Sequence, residues 1–458
     1  MMMTDLTGRD LETIFGFGLS EQQLAAVMAG MHPAVMIAGA GSGKTTSMSA
    51  RIAWLVGSGY ARPEQILGLT FTTKATSQLL DSARKAINSL AQILPDRMPA
   101  ESSDPVISTY NSFAAGIVRE FGALLGRDFD GGVLSEGARH QWAYRLVCST
   151  DIDMSSVSNA PSTITKSLLS LDGELSELAI EPETVITHDR GLLDYFSSFS
   201  KHNDSTRKMI AAAHTRIALA QLVQQWRELK AERELIEFSD QVRLAREIVT
   251  KYPRVAADIR SRFAAALLDE YQDTSISQRL LLQEIFGDAF PLTAVGDPCQ
   301  AIYGWRGASV ENINDFDGHF PLADLTRSPT FPLTDNRRSG VRILEAANVI
   351  SERLRTEHPS VEKLVPTKGE RGEVVLGMFL TVEEELEWLT DRIANQHAAI
   401  NGMSNPENIA VLSPTTKVLV QLRDSLSARG VPVQLHSAAG LLSEPLVVDL
   451  HALLTVVH

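Results

Sequence analysis

The sequence predicts an α/β protein built on a parallel β-sheet, with a helical insertion in the first α/β domain and an incomplete second α/β domain after it. Two observations support this fold class. Short apolar strand candidates alternate with helical stretches in the first hundred residues and again beyond about residue 264, which is typical of parallel sheets. Between these regions, at about 112–230, apolar residues recur at helical spacing with few strand signals, which indicates a helical insertion.

Each predicted strand is a short apolar run that ends at a turn or a polar residue. In the first α/β domain the predicted strands are 34–38, 65–70, 106–109, 264–268 and 292–295. Helices are predicted there at about 43–55 and, within the insertion, at 211–229, with a loop at 155–163. The second domain has predicted strands at 372–376 and 409–412 and predicted helices at about 382–397 and 417–430.

The composition is that of a globular protein and excludes several other classes. With 44% hydrophobic and 21% charged residues, the 458-residue chain is not a mostly disordered one. Two cysteines, Cys148 and Cys299, are too few for a disulfide framework or a thiolate zinc site. The net charge of −14 means that a nucleic-acid partner would be held in a local groove, because no general positive field attracts it.

The sequence shows no pattern of a signal peptide or a membrane span, so we expect a cytoplasmic protein with no membrane partner. The first ten residues carry Asp5, Arg9 and Asp10 and no apolar core. The apolar stretch 445–457 is interrupted by Asp449 and His451, and it predicts a core helix.

A phosphate-binding loop is predicted where the first strand meets the first long helix. Backbone N–H groups of small residues and the start of the helix can wrap phosphates, and a chance glycine-rich turn is the disfavoured alternative. Lys44 would reach the β- and γ-phosphates, and the Thr45 hydroxyl would bind Mg²⁺. Ala38 stands where this motif usually has its first glycine. The loop consists of Ala38, Gly39, Ala40, Gly41, Ser42, Gly43, Lys44 and Thr45.

Two carboxylates at the end of the predicted strand 264–268 supply the further Mg²⁺ ligand and the proton acceptor that ATP hydrolysis at such a loop requires. Asp269 would hold Mg²⁺, and Glu270 would accept a proton from the attacking water. Taken alone, a strand end with solvated carboxylates would be the simpler interpretation. More than 200 residues separate Lys44 from Asp269, far more than one βαβ unit of about 30 residues, so a domain must be inserted between them.

The segment 296–307 follows the next strand and combines a polar sensor with aromatic residues. Gln300 is placed to sense a γ-phosphate from the end of a strand. Tyr303, Trp305 and Arg306 lie between glycines, and they predict a platform on which nucleobases stack, worth about 1–3 kcal/mol per base. The alternative is a tryptophan packed in the core.

Seven motifs occur along the chain in an order that carries further information. They are Gln23, the phosphate loop, 70–75, 109–112, 269–274, 296–308 and 336–339. This ordered set resembles the UvrD/Rep family of superfamily 1 DNA helicases. The resemblance runs from about residue 20 to the C-terminus. It is weakest in the insertion, and 237–240, just beyond the insertion, is similar to a family motif.

The resemblance implies two RecA-like motor domains with ATP and Mg²⁺ between them, and 3′ to 5′ movement on single-stranded DNA. Gln23 would read the adenine edge, and Arg338 would act as an arginine finger on the γ-phosphate, with a structural salt bridge as the alternative. Partners would be single-stranded DNA, duplex junctions and repair or nuclease proteins. The single-strand groove would be lined by Phe71, Thr109, Tyr110, Tyr303, Trp305 and Arg306.

The domain boundaries expected from this resemblance divide the first motor into two parts. Residues 1–113 form its first part, 114–232 the helical insertion and 233–328 its second part. Residues 329–458 form the N-terminal part of the second motor.

Several positions depart from the family pattern. Arg337 stands where a tyrosine usually stacks on adenine, and the guanidinium plane of an arginine can also stack. Thr46 stands where an arginine is common. The last two family motifs are not found in 339–458, so we expect an N-terminal fragment or a shortened homologue. Three hypotheses follow. The first is a helicase or translocase motor, and the second is a module that binds ATP and DNA, or a partner helicase or nuclease, without turnover. The third and least favoured is an unrelated phosphate-loop ATPase.

Overall fold

A six-stranded parallel sheet organises the first part of the chain in the computed structural model. The structure describes residues 5–98, 103–126, 133–399 and 409–435, together with 447, 450 and 453. The chain divides into two compact units, Met1–Glu373 and Val374–His458. Most of the predicted core helix at 445–457 lies outside the described residues.

The strands of the large sheet are short and mostly buried on both faces, as parallel strands are when helices cover both sides. They are β1 (Ala34–Ala38), β2 (Ile66–Thr70), β3 (Val106–Thr109), β4 (Ala265–Leu268), β5 (Leu292–Gly296) and β6 (Thr330–Leu333). Their order in the sheet is β3-β2-β4-β5-β1-β6. In register, Ala34 pairs with Thr293 of β5 and Val35 with Thr330 of β6. Since all pairs are parallel, the carboxyl ends of these strands meet at one edge.

Helices cover the sheet and continue beyond it. Those before the insertion are α1 (Gly8–Phe15), α2 (Glu21–Val27), α3 (Lys44–Gly57), α4 (Thr73–Ile93) and α5 (Tyr110–Phe121). The insertion contains α6 (Glu136–Ser149), α7 (Pro161–Glu177), α8 (Pro182–Ser197) and α9 (Asp204–Glu232). Those that follow are α10 (Phe238–Lys251), α11 (Pro253–Ser261), α12 (Ile276–Phe286), α13 (Glu311–Asn314) and α14 (Phe316–His319).

The insertion has an apolar core of its own. Residues from α6, α7 and α9 form it, with Leu168, Leu222 and Trp226 fully enclosed. Helix α5, in contrast, packs through Ala114 and Ile117 into the core beneath the sheet. The independent helical layer therefore begins at α6, later than the boundary expected at residue 114.

The first unit extends past the sheet through a two-stranded ladder and two helices. A short ladder pairs β7 (Asp335–Asn336) with β8 (Val365–Pro366), and α15 (Val341–Ile350) and α16 (Glu352–Glu357) lie between these strands in the chain. β6 pairs with β1 as the edge strand of the six-stranded sheet. The boundary expected at 328/329 thus falls just before a strand of the first sheet.

The second unit contains two described helices that pack on each other. These are α17 (Val382–Ala399) and α18 (Thr416–Ala428), and Ile393, Leu422 and Leu426 form their common core. Both helices agree with the predictions at 382–397 and 417–430.

Two strand predictions are wrong. In the described residues, 372–376 and 409–412 have no strand conformation, and Leu376 and Leu412 are each 94% exposed. A strand forms only where the backbone N–H and C=O groups of a neighbouring strand pair with its own. An apolar run alone does not supply that neighbouring strand. The predicted α/β fold with a parallel sheet and a helical insertion is confirmed for the first unit.

Candidate nucleotide-binding site

The phosphate loop connects the end of β1 to the start of α3, at the carboxyl edge of the sheet. Gly43 adopts φ +87° immediately before Lys44, a left-handed conformation that glycine tolerates best. A Cβ at Gly43 would also lie 2.6 Å from the Gln23 amide nitrogen. The Ser42 hydroxyl donates to the Gly39 carbonyl at 2.8 Å. The loop is therefore stabilised by a hydrogen bond between two of its own residues, and the N-terminus of α3 lies at a cleft.

An ion pair spans this cleft. The Lys44 ammonium donates to both oxygens of Glu270, at 2.8 and 3.1 Å. Glu270 follows the buried strand β4 and itself adopts φ +46°, uncommon for a residue with a side chain. The pair is partly open to solvent, since the side chains of Lys44 and Glu270 are 14% and 34% exposed.

The neighbouring carboxylate, Asp269, is buried. Burial raises the pKa of Asp269 to about 6, with a further contribution from the negative charge of Glu270, while Lys44 opposes the shift. A cation beside Asp269 would relieve this cost, because an ionised carboxylate in a low dielectric needs a partner.

The residues present fit a Mg²⁺ ion bound together with a nucleotide. Mg²⁺ usually takes one or two protein ligands and completes its shell with water and phosphate oxygens. Asp269 offers a carboxylate, and Thr45, exposed at the start of α3, offers a hydroxyl. No cluster of three or more His, Cys, Asp or Glu side chains suited to a metal ion occurs in the described part of the chain.

Gln272 connects the ion pair to the next strand end. Its side-chain amide donates to Glu270 at 2.8 Å and to Asp273 at 3.2 Å, and its oxygen accepts from the backbone N–H of Asp297 at 3.1 Å. Gln272 is 1% exposed. Sequence reasoning assigned no role to this residue, because its partners come from two different strand ends.

The segment after β5 carries the predicted sensor. Gln300 donates its side-chain amide to Asp297 at 2.6 Å, and the other Asp297 oxygen accepts from the backbone N–H of Cys299 at 2.9 Å. Burial raises the pKa of the Cys299 thiol to about 11, and the negative charge of Asp297 adds to the shift. Gln300 thus lies on the cleft, two hydrogen bonds from Gln272.

The far wall of the cleft comes from the segment after β6. The Asn336 amide donates to the Ala40 carbonyl at 2.6 Å, and its oxygen accepts from the backbone N–H groups of Arg338 and Ser339 at 3.0 and 2.8 Å. The Arg337 backbone N–H donates to the Gly41 carbonyl at 2.9 Å. Asn336 therefore ties this wall to the phosphate loop, a positioning role that its place in a motif did not reveal.

These walls enclose a cleft of about 430 Å³. It brings together most of the predicted nucleotide residues from four separate parts of the chain. It is lined by Gly39, Ala40, Gly41, Gly43, Lys44, Thr45, Thr46, Glu270, Gln300 and Arg338.

Two residues expected at the base of the nucleotide lie beside the cleft. Gln23 is 2% exposed, and its amide donates to the Ser42 carbonyl at 3.2 Å and accepts from the Ser20 N–H at 3.0 Å. Arg337 extends its guanidinium to the Gly18 carbonyl at 3.3 Å. Gln23 thus supports the phosphate loop in this structure, and Arg337 bridges that loop to the segment before α2.

The predicted aromatic platform forms a short chain of stacked groups. The rings of Phe71 and Tyr303 lie 4.6 Å apart at 34°. The Arg306 guanidinium lies 4.6 Å from the Trp305 ring centroid and 5.8 Å from that of Tyr303. Trp305 is 74% exposed, which excludes the alternative of a core tryptophan.

Thr109 and Tyr110 differ from the other predicted groove residues. The Thr109 hydroxyl accepts from the Ser112 backbone N–H at 3.1 Å and so begins α5. Tyr110 is 4% exposed, and its hydroxyl donates to the Asp269 carbonyl at 3.0 Å. The structure therefore places Tyr110 in the core beneath the carboxylates, away from the exposed platform.

The fold and this cleft define a phosphate-loop nucleotide-binding protein with a RecA-like parallel sheet. Residues 19–321 match the family described as UvrD/REP helicase N-terminal domain. The chain therefore belongs to the UvrD/Rep helicase family.

Several curated relatives are similar over most of this chain. The ATP-dependent DNA helicase UvrD1 of Mycobacterium leprae (strain TN) is 27% identical over 429 residues, 91% of this chain and 49% of the relative. The ATP-dependent DNA helicase PcrA of Leuconostoc citreum is 25% identical over 444 residues, 96% of this chain and 52% of the relative. The chain thus spans about half the length of these proteins.

Among the described residues, no helix is both long and apolar enough to cross a bilayer.

Proposed function

We propose that this chain hydrolyses ATP and couples the reaction to movement on single-stranded DNA, as part of a DNA helicase or translocase. One observation carries the proposal: the segment 296–307 places Gln300 on the nucleotide cleft and Tyr303, Trp305 and Arg306 on the exposed platform. A displacement of this segment by nucleotide would therefore move the platform as well.

The ion pair between Lys44 and Glu270 explains how nucleotide would activate the site. A γ-phosphate carries more negative charge than a carboxylate, so it would take Lys44 away from Glu270. Glu270 would then be free to accept a proton from the attacking water, while Gln272 keeps its carboxylate oriented. A Mg²⁺ ion held by Thr45 and Asp269 would neutralise charge on the β- and γ-phosphates.

Arg338 completes the proposed site. It lines the cleft opposite Glu270 and is exposed, and its backbone is fixed by Asn336. A guanidinium in this position would stabilise charge on the γ-phosphate in the transition state, an effect that reaches about 10³–10⁵-fold in related chemistry.

The test is ATP hydrolysis by the 458-residue chain with and without oligo(dT), for the wild type and for Glu270→Gln. We expect turnover that DNA stimulates, and its loss in Glu270→Gln with ATP binding retained. Lys85→Ala, at an exposed position on α4, is the control and should behave as the wild type. An undiminished rate in Glu270→Gln would remove Glu270 from its proposed role.

Direction, pathway and location extend this proposal on the strength of family membership. We infer 3′ to 5′ movement, a role in DNA repair or recombination, and a cytoplasmic site of action. Unwinding of duplexes that carry either a 3′ or a 5′ single-stranded tail tests the direction. Faster unwinding of the 5′-tailed duplex would contradict it.

A binding module without turnover is the second candidate. Within the described residues, Arg338 is the one arginine that lines the cleft, and a site short of one charge-stabilising arginine loses about 10³–10⁵ in rate. ATP binding that depends on Lys44, with no turnover in the presence of DNA, would support this candidate over the first.

A further inference from the structure

The last turn of α7, in the helical insertion, packs against the loop that carries the platform. Gly307 follows Trp305 and Arg306 directly and adopts φ +83°. A Cβ at Gly307 would lie only 2.5 Å from the Cβ and 3.1 Å from the Cγ of Glu177. The insertion therefore contacts the platform loop next to the residues proposed to stack on bases.

The carboxyl group of Glu177 reaches the base of the same loop. Burial raises the pKa of Glu177, and the Ser275 side chain, which is close enough to donate to this carboxyl group, opposes the shift. Ser275 forms an antiparallel bridge with Ala308 and caps α12 by accepting from the Gln278 N–H at 3.2 Å. Glu177 thus contacts the platform loop at Gly307 and lies beside Ser275, which the bridge to Ala308 joins to the same loop.

The same helix is anchored less than two turns earlier. Asp172 is fully buried and accepts from Lys230 at 2.9 Å and from Arg227 at 2.7 Å. Lys230 also donates to both oxygens of Asp240 on α10, at 2.9 Å each. Because a helix is stiff over such a distance, α7 connects the buried charges at the root of the insertion to the platform loop.

We propose that Glu177 is a positioning residue for single-stranded DNA, through which the helical insertion holds the Trp305–Arg306 platform in its stacking arrangement. The inference rests on the proposed function of the platform. The helical insertion thereby orders the platform loop. The same segment carries Gln300, which lines the nucleotide cleft.

Loss of this contact would leave the platform loop less ordered before DNA binds. The ordering cost would then fall on the binding step and weaken it. We expect Glu177→Ala to weaken oligo(dT) binding about three- to tenfold, the scale of one hydrogen bond with its packing. Glu177 lies outside the cleft, so the ATPase rate without DNA should not change.

The experiment compares Glu177→Ala, Glu177→Gln and Glu174→Ala by fluorescence anisotropy with labelled oligo(dT) at fixed salt. Glu177→Gln keeps an oxygen that accepts from Ser275 and should stay close to the wild type. Glu174 lies on the same helix and is exposed, so its variant should bind as the wild type. Wild-type affinity in Glu177→Ala, or equal losses in all three variants, would overturn the inference.

A second readout does not depend on DNA binding. Trypsin cleaves after arginine, and Arg306 is exposed on the platform loop. Cleavage after Arg306 should be faster in Glu177→Ala than in the wild type, and unchanged in Glu174→Ala. If the wild type does not bind DNA, the proposed function fails, whereas equal cleavage rates contradict the positioning role itself. Should Glu177→Ala not fold, Glu177→Asp, which shortens the side chain by one methylene, replaces it in both assays.

Discussion

Two lysines of this protein pair with carboxylates, in surroundings that differ in exposure to solvent and in the number of partners. Lys44 meets Glu270 in an open cleft, where their side chains are 14% and 34% exposed. Lys230 lies at the root of the insertion with Asp172, Glu237 and Asp240 at 2.9–3.2 Å, and none of these four side chains is more than 3% exposed.

The difference shows how one type of interaction serves two purposes. The open pair at Lys44 is partly solvated, so exchanging Glu270 for a phosphate costs little beyond the contact itself. The buried cluster at Lys230 has excluded water, so removing one partner leaves charges with no replacement. Arg227, Arg243 and Arg139 add further positive charge to this cluster. The first pair is suited to exchange, and the second to permanent attachment.

Of the variants that test this difference, Lys230→Met is expected to have the largest effect, a loss of folding stability. The substitution leaves three buried carboxylates without their central cation, and breaking a buried ionic group in this way costs about 3–5 kcal/mol. The midpoint of urea unfolding should fall accordingly. Lys208→Met, at an exposed position on the same helix, should leave the midpoint unchanged, and equal midpoints for both variants would contradict the assignment of Lys230.

For Lys44→Ala we expect a large loss of ATP turnover and little loss of stability. Loss of a cation aimed at the transferring phosphate should reduce ATP turnover by roughly 10²–10³-fold. Stability should change by less than about 1 kcal/mol, because the pair with Glu270 is partly solvated. Turnover and thermal unfolding measured on one preparation test both expectations, and a loss of stability like that of Lys230→Met would mean that the two lysines do not differ as described.

The buried cluster should also respond to acid. Burial would raise the pKa of Asp172, but the charges of Lys230 and Arg227 outweigh it and lower this pKa to about 2. Ionised Asp172 therefore favours the folded state. Its contribution is complete above about pH 4 and is lost as the pH falls toward 2, with a magnitude on the order of 2 kcal/mol.

Unfolding free energies measured from pH 5 to pH 2 test this expectation. Asp172→Asn should show a shallower decline with falling pH than the wild type, because the group that takes up the proton is gone. Asp151→Asn, at an exposed position, provides the comparison. An unchanged slope in Asp172→Asn would show that other carboxylates govern the acid response.

The smallest effect is expected from Gln272→Ala. This variant keeps both lysines and removes the amide that orients Glu270 and satisfies the Asp297 N–H. The loss of hydrogen bonding should cost about 1 kcal/mol, roughly a fivefold decrease in turnover. ATP affinity should stay constant, since Gln272 does not line the cleft. A parallel loss of affinity would assign Gln272 to nucleotide binding instead.

Local signals in the sequence account for much of the first sheet and for the phosphate loop. β1, β2, β3, β4 and β5 are apolar runs bounded by turns, and the predicted ranges agree with the structure within one residue. β6 contains Pro332 and was not predicted. It lies at the edge of the sheet, which is where a strand tolerates proline because one side needs no hydrogen bond.

The remaining features depend on contacts between distant residues. Gln272 and Asn336 each connect a nearby residue to a group more than 20 residues away in the chain. Tyr110 was expected to line the single-strand groove because 109–112 resembles a family motif, yet it packs beneath Asp269. A motif predicts which residues gather at a site, and the tertiary packing decides which of their atoms face the ligand.

The partial burial of the Cys299 thiol, near the charge of Asp297, has a practical consequence for labelling. Thiolate is the reactive form of cysteine, and with a pKa of about 11 Cys299 is almost entirely protonated at neutral pH. Cys148, on α6 of the insertion, is exposed. A maleimide dye at pH 7 should therefore attach to the insertion at Cys148 without mutagenesis, which provides an optical probe at a defined position on α6.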